Sequence, residues 1–430
     1  MTPGTTPTSP SKTSRKGLWA WALFDFGNSG FATVVSTFVF SAYFTQAIAP
    51  DPTTGTSLWG LATGIAGVII ALTSPVTGAI ADLTGRRKPW LAFFTLMCVV
   101  ATAALWFAKP GTESIPLALT LAVFGTIGFE VGLVFYNTML PTLTPPERLG
   151  RVSGLAWGLG YAGGLICLVL ALVGFIQADP VPFNLDTNEA EHVRATLLLT
   201  AVWIALFTWP LFAFTPDTPS TNVSLSVAMK QGVSTLITTL RNAKQNANSF
   251  RFLIARMVYI DGVNTMFAFG GIYAAGTFGM TLEDIIIFGI ALNVTAGVGA
   301  AVFGWVDDLY GSKLTLTISL TALTISAIGV LIAQTIPQFW FAALIMSTFF
   351  GPVQAASRTF MARLAPPAMR GEMFGLYAVS GKVTSFVGPF VVGGVTALAG
   401  SQRIGMATIL VFLVVGLILL QTVKEPKQTA

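Results

Sequence analysis

Charge is what this sequence has least of. Asp, Glu, Lys and Arg make up 10% of its 430 residues and hydrophobic residues 53%, whereas soluble domains are roughly a quarter charged. So few charges cannot clothe a soluble surface of this size, and most of the surface must face lipid. Cysteine and histidine are nearly missing too. Cys98 and Cys167 lie inside apolar runs with no His or acid at ligand spacing, so neither a disulfide nor a metal site is expected. The one histidine, His192, falls in a loop, no Ser-His-Asp set can be assembled, and no nucleotide loop is present. Neither enzyme chemistry nor a cofactor is expected. The opening stretch, MTPGTTPTSPSKTS, lacks a signal peptide's order of charge, apolar core and small residues, and residues 1–17 read as a disordered tail.

What is present is apolar length. Runs of about 20 residues, enough to cross a hydrocarbon core, begin near Trp19, Leu58, Trp90, Ile115, Val152, Val193, Phe252, Asp284, Leu314, Phe339, Met373 and Ile404. Twelve spans put both termini on one side. Seventeen of the 23 Lys and Arg fall in loops on that side, against only Lys109, Arg194 and Arg403 on the other. The positive-inside rule makes the terminal side cytoplasmic, and the asymmetry explains the net charge of +5 without any nucleic acid. Three bases remain inside spans: Arg256, Arg358 and Lys382.

The longest polar segment, 214–249, divides the spans six and six. Within it Leu225, Met229, Val233, Leu236, Ile237 and Leu240 recur at helical spacing with Lys230, Arg241 and Lys244 opposite, the pattern of a helix on the membrane surface. The halves, 18–213 and 250–423, echo each other. DFGNSGFA from Asp25 returns as DGVNTMFA from Asp261, GAIADLTG from Gly78 as GWVDDLYG from Gly304, and PPERLGRVSGL from Pro145 as PPAMRGEMFGL from Pro366. Three echoes at matching spans imply a duplicated six-helix unit. The expected fold is an all-α membrane protein of twelve helices in two pseudo-symmetric six-helix bundles, ending in a short tail at 424–430.

GAIADLTGRRK, Gly78 to Lys88, resembles the signature loop of the major facilitator superfamily. WALFDFGNSGFATVVSTFVF, YNTMLPTLTPPERLGRVSGLAWGLGYAGG and QAASRTFMARLAPPAMRGEMFGLY, with Lys382 and Gly388-Pro389, resemble the vacuolar amino-acid effluxer family linked to autophagy in fungi and its bacterial members. The resemblance implies the major facilitator fold, and it implies that the signature loop is a conformational latch. Gly78, Asp82, Gly85, Arg86, Arg87 and Lys88 form it. Gly304, Asp308 and Gly311 form a second copy that keeps one base, Lys313, and is expected to be weaker; topology anchoring alone is the plain alternative.

Buried charges mark a candidate pathway. Asp25, Asn28 and Ser29 share one helical face, as do Asp261, Asn264 and Thr265. The alternative is that Asp25 merely caps a helix starting at Phe26. Glu130, Arg256, Arg358 and Lys382 complete the set, and by the resemblance five of the six charges fall on the cavity-lining first, fourth, seventh and tenth helices. A buried clamp between halves, Arg358 with Glu130 or Asp25, is one reading. The other is a site for a polar or zwitterionic solute: Arg358, next to Gln354, and Lys382 hold a carboxylate, while Asp25, Asp261 or Glu130 holds an amine or carries a proton. Tyr136, Asn137 and Tyr259 are secondary candidates. GLGYAG, from Gly158, has no preceding strand and reads as helix packing.

The expected function is secondary active transport by alternating access, and the resemblance implies amino-acid export first of all, with proton coupling. A monomer in a bacterial inner membrane is expected, or a vacuolar membrane if the source is eukaryotic. Lipid or lysolipid transport, and a non-transporting receptor or scaffold, are the alternatives.

Overall fold

A computed structural model describes residues 14–221, 223–241 and 246–425. Most of the tail 1–17, Lys244 and the end of the tail 424–430 lie outside the described residues. Among the described residues the chain is helical and holds no strand. Among the described residues eleven helices are long and apolar enough to cross a membrane. They are Arg15–Ile48, Thr54–Thr84, Lys88–Phe107, Thr112–Leu143, Pro146–Ile176, Glu191–Phe214, Ala247–Phe278, Ile287–Tyr310, Ser312–Ile332, Ile336–Leu364 and Gln402–Gln421. These are spans one to ten and twelve. The eleventh is broken into Arg370–Ser380 and Val387–Ala399, joined by turns over 381–386.

The first span begins well before Asp25. Ser14 caps it, its side chain accepting from Gly17 N–H, so Asp25 is interior and the capping alternative is excluded. Beyond Gly30 the helix widens to π-winding over Phe31–Phe38. Thr33 and Thr37 donate back to the Ser29 and Ala32 carbonyls there, competing with the regular ladder. The linker helix Leu225–Arg241 forms as its spacing implies. Ala228 is buried and Gly232 lies against Ile80 of the second span, while Met229 and Ile237 stay exposed.

Each half packs internally. The first span lies against the fifth and sixth, and the fourth against the second and third. The tenth lies against the eighth and ninth, and the seventh against the twelfth. The largest buried apolar cluster draws on the second half, with Val134 the exception, and the other clusters on the first. The halves meet along two seams, fifth against eighth and second against eleventh. Small residues permit the approach: a Cβ on Gly78 would collide with the Gly371 carbonyl, and one on Gly154 with the Ala300 carbonyl. The Gly-rich stretch of the fifth span is likewise helix packing, since Gly158 faces the Gly297 carbonyl and Gly163 the Phe26 carbonyl.

Both seams are clasped at the face carrying the termini. Asp82 accepts from the backbone N–H groups of Gly371 (2.9 Å) and Glu372 (3.1 Å), at the opening turn of the eleventh span. Asp308 accepts from those of Gly150 (2.7 Å) and Arg151 (3.1 Å), at the opening turn of the fifth. A carboxylate at a helix N-terminus meets unpaired amides and the positive end of the dipole. Arg87 lies 3.6 Å from Asp82, and the backbone amides of Arg87 and Lys88 donate to Asp217 of the linker. Burial lowers the Arg87 pKa from its usual value, and Asp82 and Asp217 act against that. Arg86 is exposed. Gly85 has φ +83°, and a Cβ on it would strike the Pro219 carbonyl. The second clasp is not thinner than the first, contrary to the sequence-based expectation. Arg151 Nε reaches Asp308 at 2.7 Å and Arg363 reaches Asp307 at 2.5 Å, so distant spans supply the bases that the echo lacks. Gly304 abuts the Gly150 carbonyl, and Gly311, at φ +91°, turns the chain beside Glu425.

Candidate functional site

A cavity of about 320 Å³ lies between the halves. Asp25, Asn28, Ser29, Glu130, Asn137, Arg256, Asn264, Gln354, Arg358 and Lys382 line it, drawn from the first, fourth, seventh, tenth and broken eleventh spans. Four further candidates point elsewhere. Tyr136 stacks between Trp21 and Phe24, and Tyr259 is bonded to Ser357 at 2.7 Å. Asp261 and Thr265 turn towards Gly388 of the eleventh span. The two echoed stripes therefore differ in use: all three polar members of the first line the cavity, and only Asn264 of the second does.

Arg358 is fully engaged across the interface. Its Nη1 donates to Asp25 Oδ2 at 3.0 Å, its Nε to Ser153 Oγ at 2.9 Å and its Nη2 to the Ser153 carbonyl at 2.7 Å. Trp21, Tyr136 and Trp157 surround the guanidinium at 5.3, 5.7 and 5.6 Å, within cation–π range. Its side chain is 2% exposed. Lys382, in the break of the eleventh span, pairs with Glu130 at 2.6 Å, and this pair is more open, at 35% and 18% side-chain exposure.

Arg256 is different. Its Nη1 donates to the Tyr377 carbonyl and to Ser380 Oγ, both at 2.7 Å, and its guanidinium lies 3.5 Å from the centre of the Tyr377 ring. Its Nε has no partner, and among the described residues no carboxylate lies within bridging distance. With Asp25 matched to Arg358 and Glu130 to Lys382, the cavity keeps one positive charge in excess, at Arg256. A second, apolar chamber of about 230 Å³ adjoins it, sharing Phe38, Phe267 and Asn293. Among the described residues no cluster of His, Cys, Asp and Glu has the makings of a metal site.

The family model described as "Vacuole effluxer Atg22 like" matches residues 47–430. The chain belongs to the Atg22-like vacuole effluxer family. An uncharacterized MFS-type transporter of Bacillus subtilis, YxiO, is 28% identical over 415 residues, 95% of either chain. Autophagy-related protein 22 of Cryptococcus neoformans is 27% identical over 289 residues, 62% of this chain and 51% of that relative, so the match spans about half of the fungal protein. Among solved structures, the human organic anion transporter MFSD10 superposes with a TM-score of 0.75 at 14% identity, covering 95% of this chain and 99% of that one. The major facilitator transporter FucP in its outward conformation gives 0.74 at 14%, covering 96% and 100%. The fold is that of major facilitator transporters, and this Atg22-like chain is a multi-pass membrane transporter, not an enzyme.

Several contributors to this site escaped the sequence reading. Ser153 sits in the echoed GRVSGL with no feature marking it as the partner of an arginine 205 positions away. Trp157 reads as an ordinary span aromatic. Arg151 and Arg363 register only as cytoplasmic-side bases, and Asp217 only as part of a turn-rich linker.

Proposed function

We propose that this Atg22-like transporter exports amino acids or closely similar zwitterions, coupled to protons, by alternating access of the cavity between the halves. The observation that carries the reading is Arg256, a cavity-lining guanidinium with an unpartnered Nε–H and no acid partner, the arrangement that receives a carboxylate. Arg358, with its donors committed to Asp25 and Ser153, serves instead as the clamp between the halves. Glu130, held by Lys382 but partly open to the cavity, is the acid that a solute ammonium reaches by competition. Asn28, Ser29, Asn137, Asn264 and Gln354 offer neutral hydrogen bonds, and the apolar chamber takes a side chain.

Export follows the family's description as effluxers. The excess of basic residues in the loops at the terminal face supports a cytoplasmic orientation of that face, in a bacterial inner membrane, and on this reading the clasped state is the outward-facing one, with Asp82 and Asp308 as its latches. One chain encloses the whole cavity, which suits a monomer. The test is flux from proteoliposomes loaded with labelled amino acids under an imposed pH gradient. Gradient-dependent efflux that Arg256→Gln abolishes supports the reading, and absence of flux for every amino acid class contradicts it.

A further inference from the structure

The seventh span grips both ends of the break in the eleventh. Arg256 binds the Tyr377 carbonyl and Ser380 Oγ at the closing turn of the first half-helix. Asp261 Oδ2 accepts from Gly388 N–H, 3.1 Å, at the opening turn of the second. A cation at a helix C-terminus and an anion at an N-terminus suit the two half-helix dipoles. The break is also held by Thr384 Oγ1, which donates to the Met257 carbonyl.

The anionic end of this grip is incomplete. Asp261 is 2% exposed, yet its Oδ1 has no hydrogen-bond partner, and neither has Thr265 Oγ1 one turn further on. Both oxygens converge on Gly388: a Cβ there would overlap Thr265 Oγ1 and lie 3.1 Å from Asp261 Oδ1. Among the described residues no cation faces the carboxylate from any neighbouring element. Arg256 on its own span is turned to Tyr377 and Ser380, Lys382 in the break is bonded to Glu130, and Arg358 of the tenth span is committed to Asp25 and Ser153. The twelfth span presents Phe412 and Leu413 to the adjacent Gly262. A buried, unpaired carboxylate with one bare oxygen is strongly disfavoured. A single proton on Oδ1 removes the buried charge, while Oδ2 keeps the Gly388 amide.

We propose that Asp261 is a proton-binding site of the transport cycle. This rests on the proton-coupled transport reading above and assigns the coupling site. Oδ1 takes a proton from water and the carboxylate becomes neutral. Returning the proton to water restores the negative charge and strengthens the hold on the Gly388 amide. The turn between the half-helices carries Lys382, whose ammonium holds Glu130 in the cavity, so proton occupancy at Asp261 reaches the substrate site through the movement of that turn.

The test is pH-difference infrared spectroscopy of the reconstituted full chain, which needs no substrate. The wild type is expected to show a protonated-carboxyl band that Asp261→Asn lacks. A carboxylate that merely caps the half-helix gives the same spectrum in wild type and Asp261→Asn, and that result overturns the proposal. If the band behaves as expected but no amino acid is transported under any gradient, the transport reading fails and the proton site stands.

Discussion

Arg358 on the tenth span and Asp25 on the first meet at 3.0 Å across the interface between the two halves. Both are buried, and Ser153 of the fifth span takes the two remaining edges of the guanidinium. Three spans from two halves are thereby tied at one point. Removing one partner of such a pair leaves the other charge buried and uncompensated, at a cost on the order of 3–5 kcal/mol. Asp25→Asn and Arg358→Met should each lower the thermal midpoint of the purified protein clearly, and the double variant should recover part of the loss.

The Glu130–Lys382 pair should behave in the opposite way. Partly exposed pairs contribute roughly 0–1 kcal/mol, so Glu130→Gln is expected to leave thermal stability nearly unchanged. If Glu130 receives the solute's ammonium, the same variant raises KM for amino acids in vesicle flux.

Asp82 and Asp308 hold the two seams through backbone amides at helix starts. Hydrogen bonds to charged groups are worth about 1.5–3 kcal/mol each, and Asp308 has Arg151 in addition. Both Asp82→Asn and Asp308→Asn should open the terminal face, Asp308→Asn more. Alkylation of a single cysteine placed in the cavity, applied from that face, reads the change.

Close approach gives a cleaner variant of the same test. An added Cβ on Gly371 would collide with the Gly78 carbonyl, whereas one on Gly60 meets nothing within 4 Å. Gly371→Ala should expose the cavity cysteine from the terminal face. Gly60→Ala should leave labelling as it was and favour the helix by about 0.5–1 kcal/mol.

Apolar length made the spans legible and the internal echoes the duplicated unit, because both are properties of the chain itself, whereas the clasp bases Arg151 and Arg363 and the linker acid Asp217 carried no such mark. The break in the eleventh span was not legible either. Its residues, GKVTSF, hold no proline and lie between apolar runs, so they pass as continuous helix, and the carbonyl and amide contacts from Arg256 and Asp261 that stabilise the interruption come from 120 or more positions away. Rotation was lost for a similar reason. The echo of Asp25 at Asp261 gives the position along the span, while the direction of each side chain depends on neighbours: Gly160 lies beside Asp25, and Gly388 beside Asp261. Two span arginines likewise look alike in sequence, and only the placement of Ser153 and Asp25 makes Arg358 the clamp and leaves Arg256 without an acid partner.

Arg256 is the centre of the account, and ligand-induced thermal shift tests it most directly. A ligand present at 100 times its Kd stabilises the state it binds by about 2.7 kcal/mol. Purified protein should be stabilised by an amino acid and far less by the matching amine that lacks the carboxylate, and Arg256→Gln should lose the difference. Equal shifts from acid and amine, or a full amino-acid shift surviving in Arg256→Gln, would contradict a carboxylate site at Arg256.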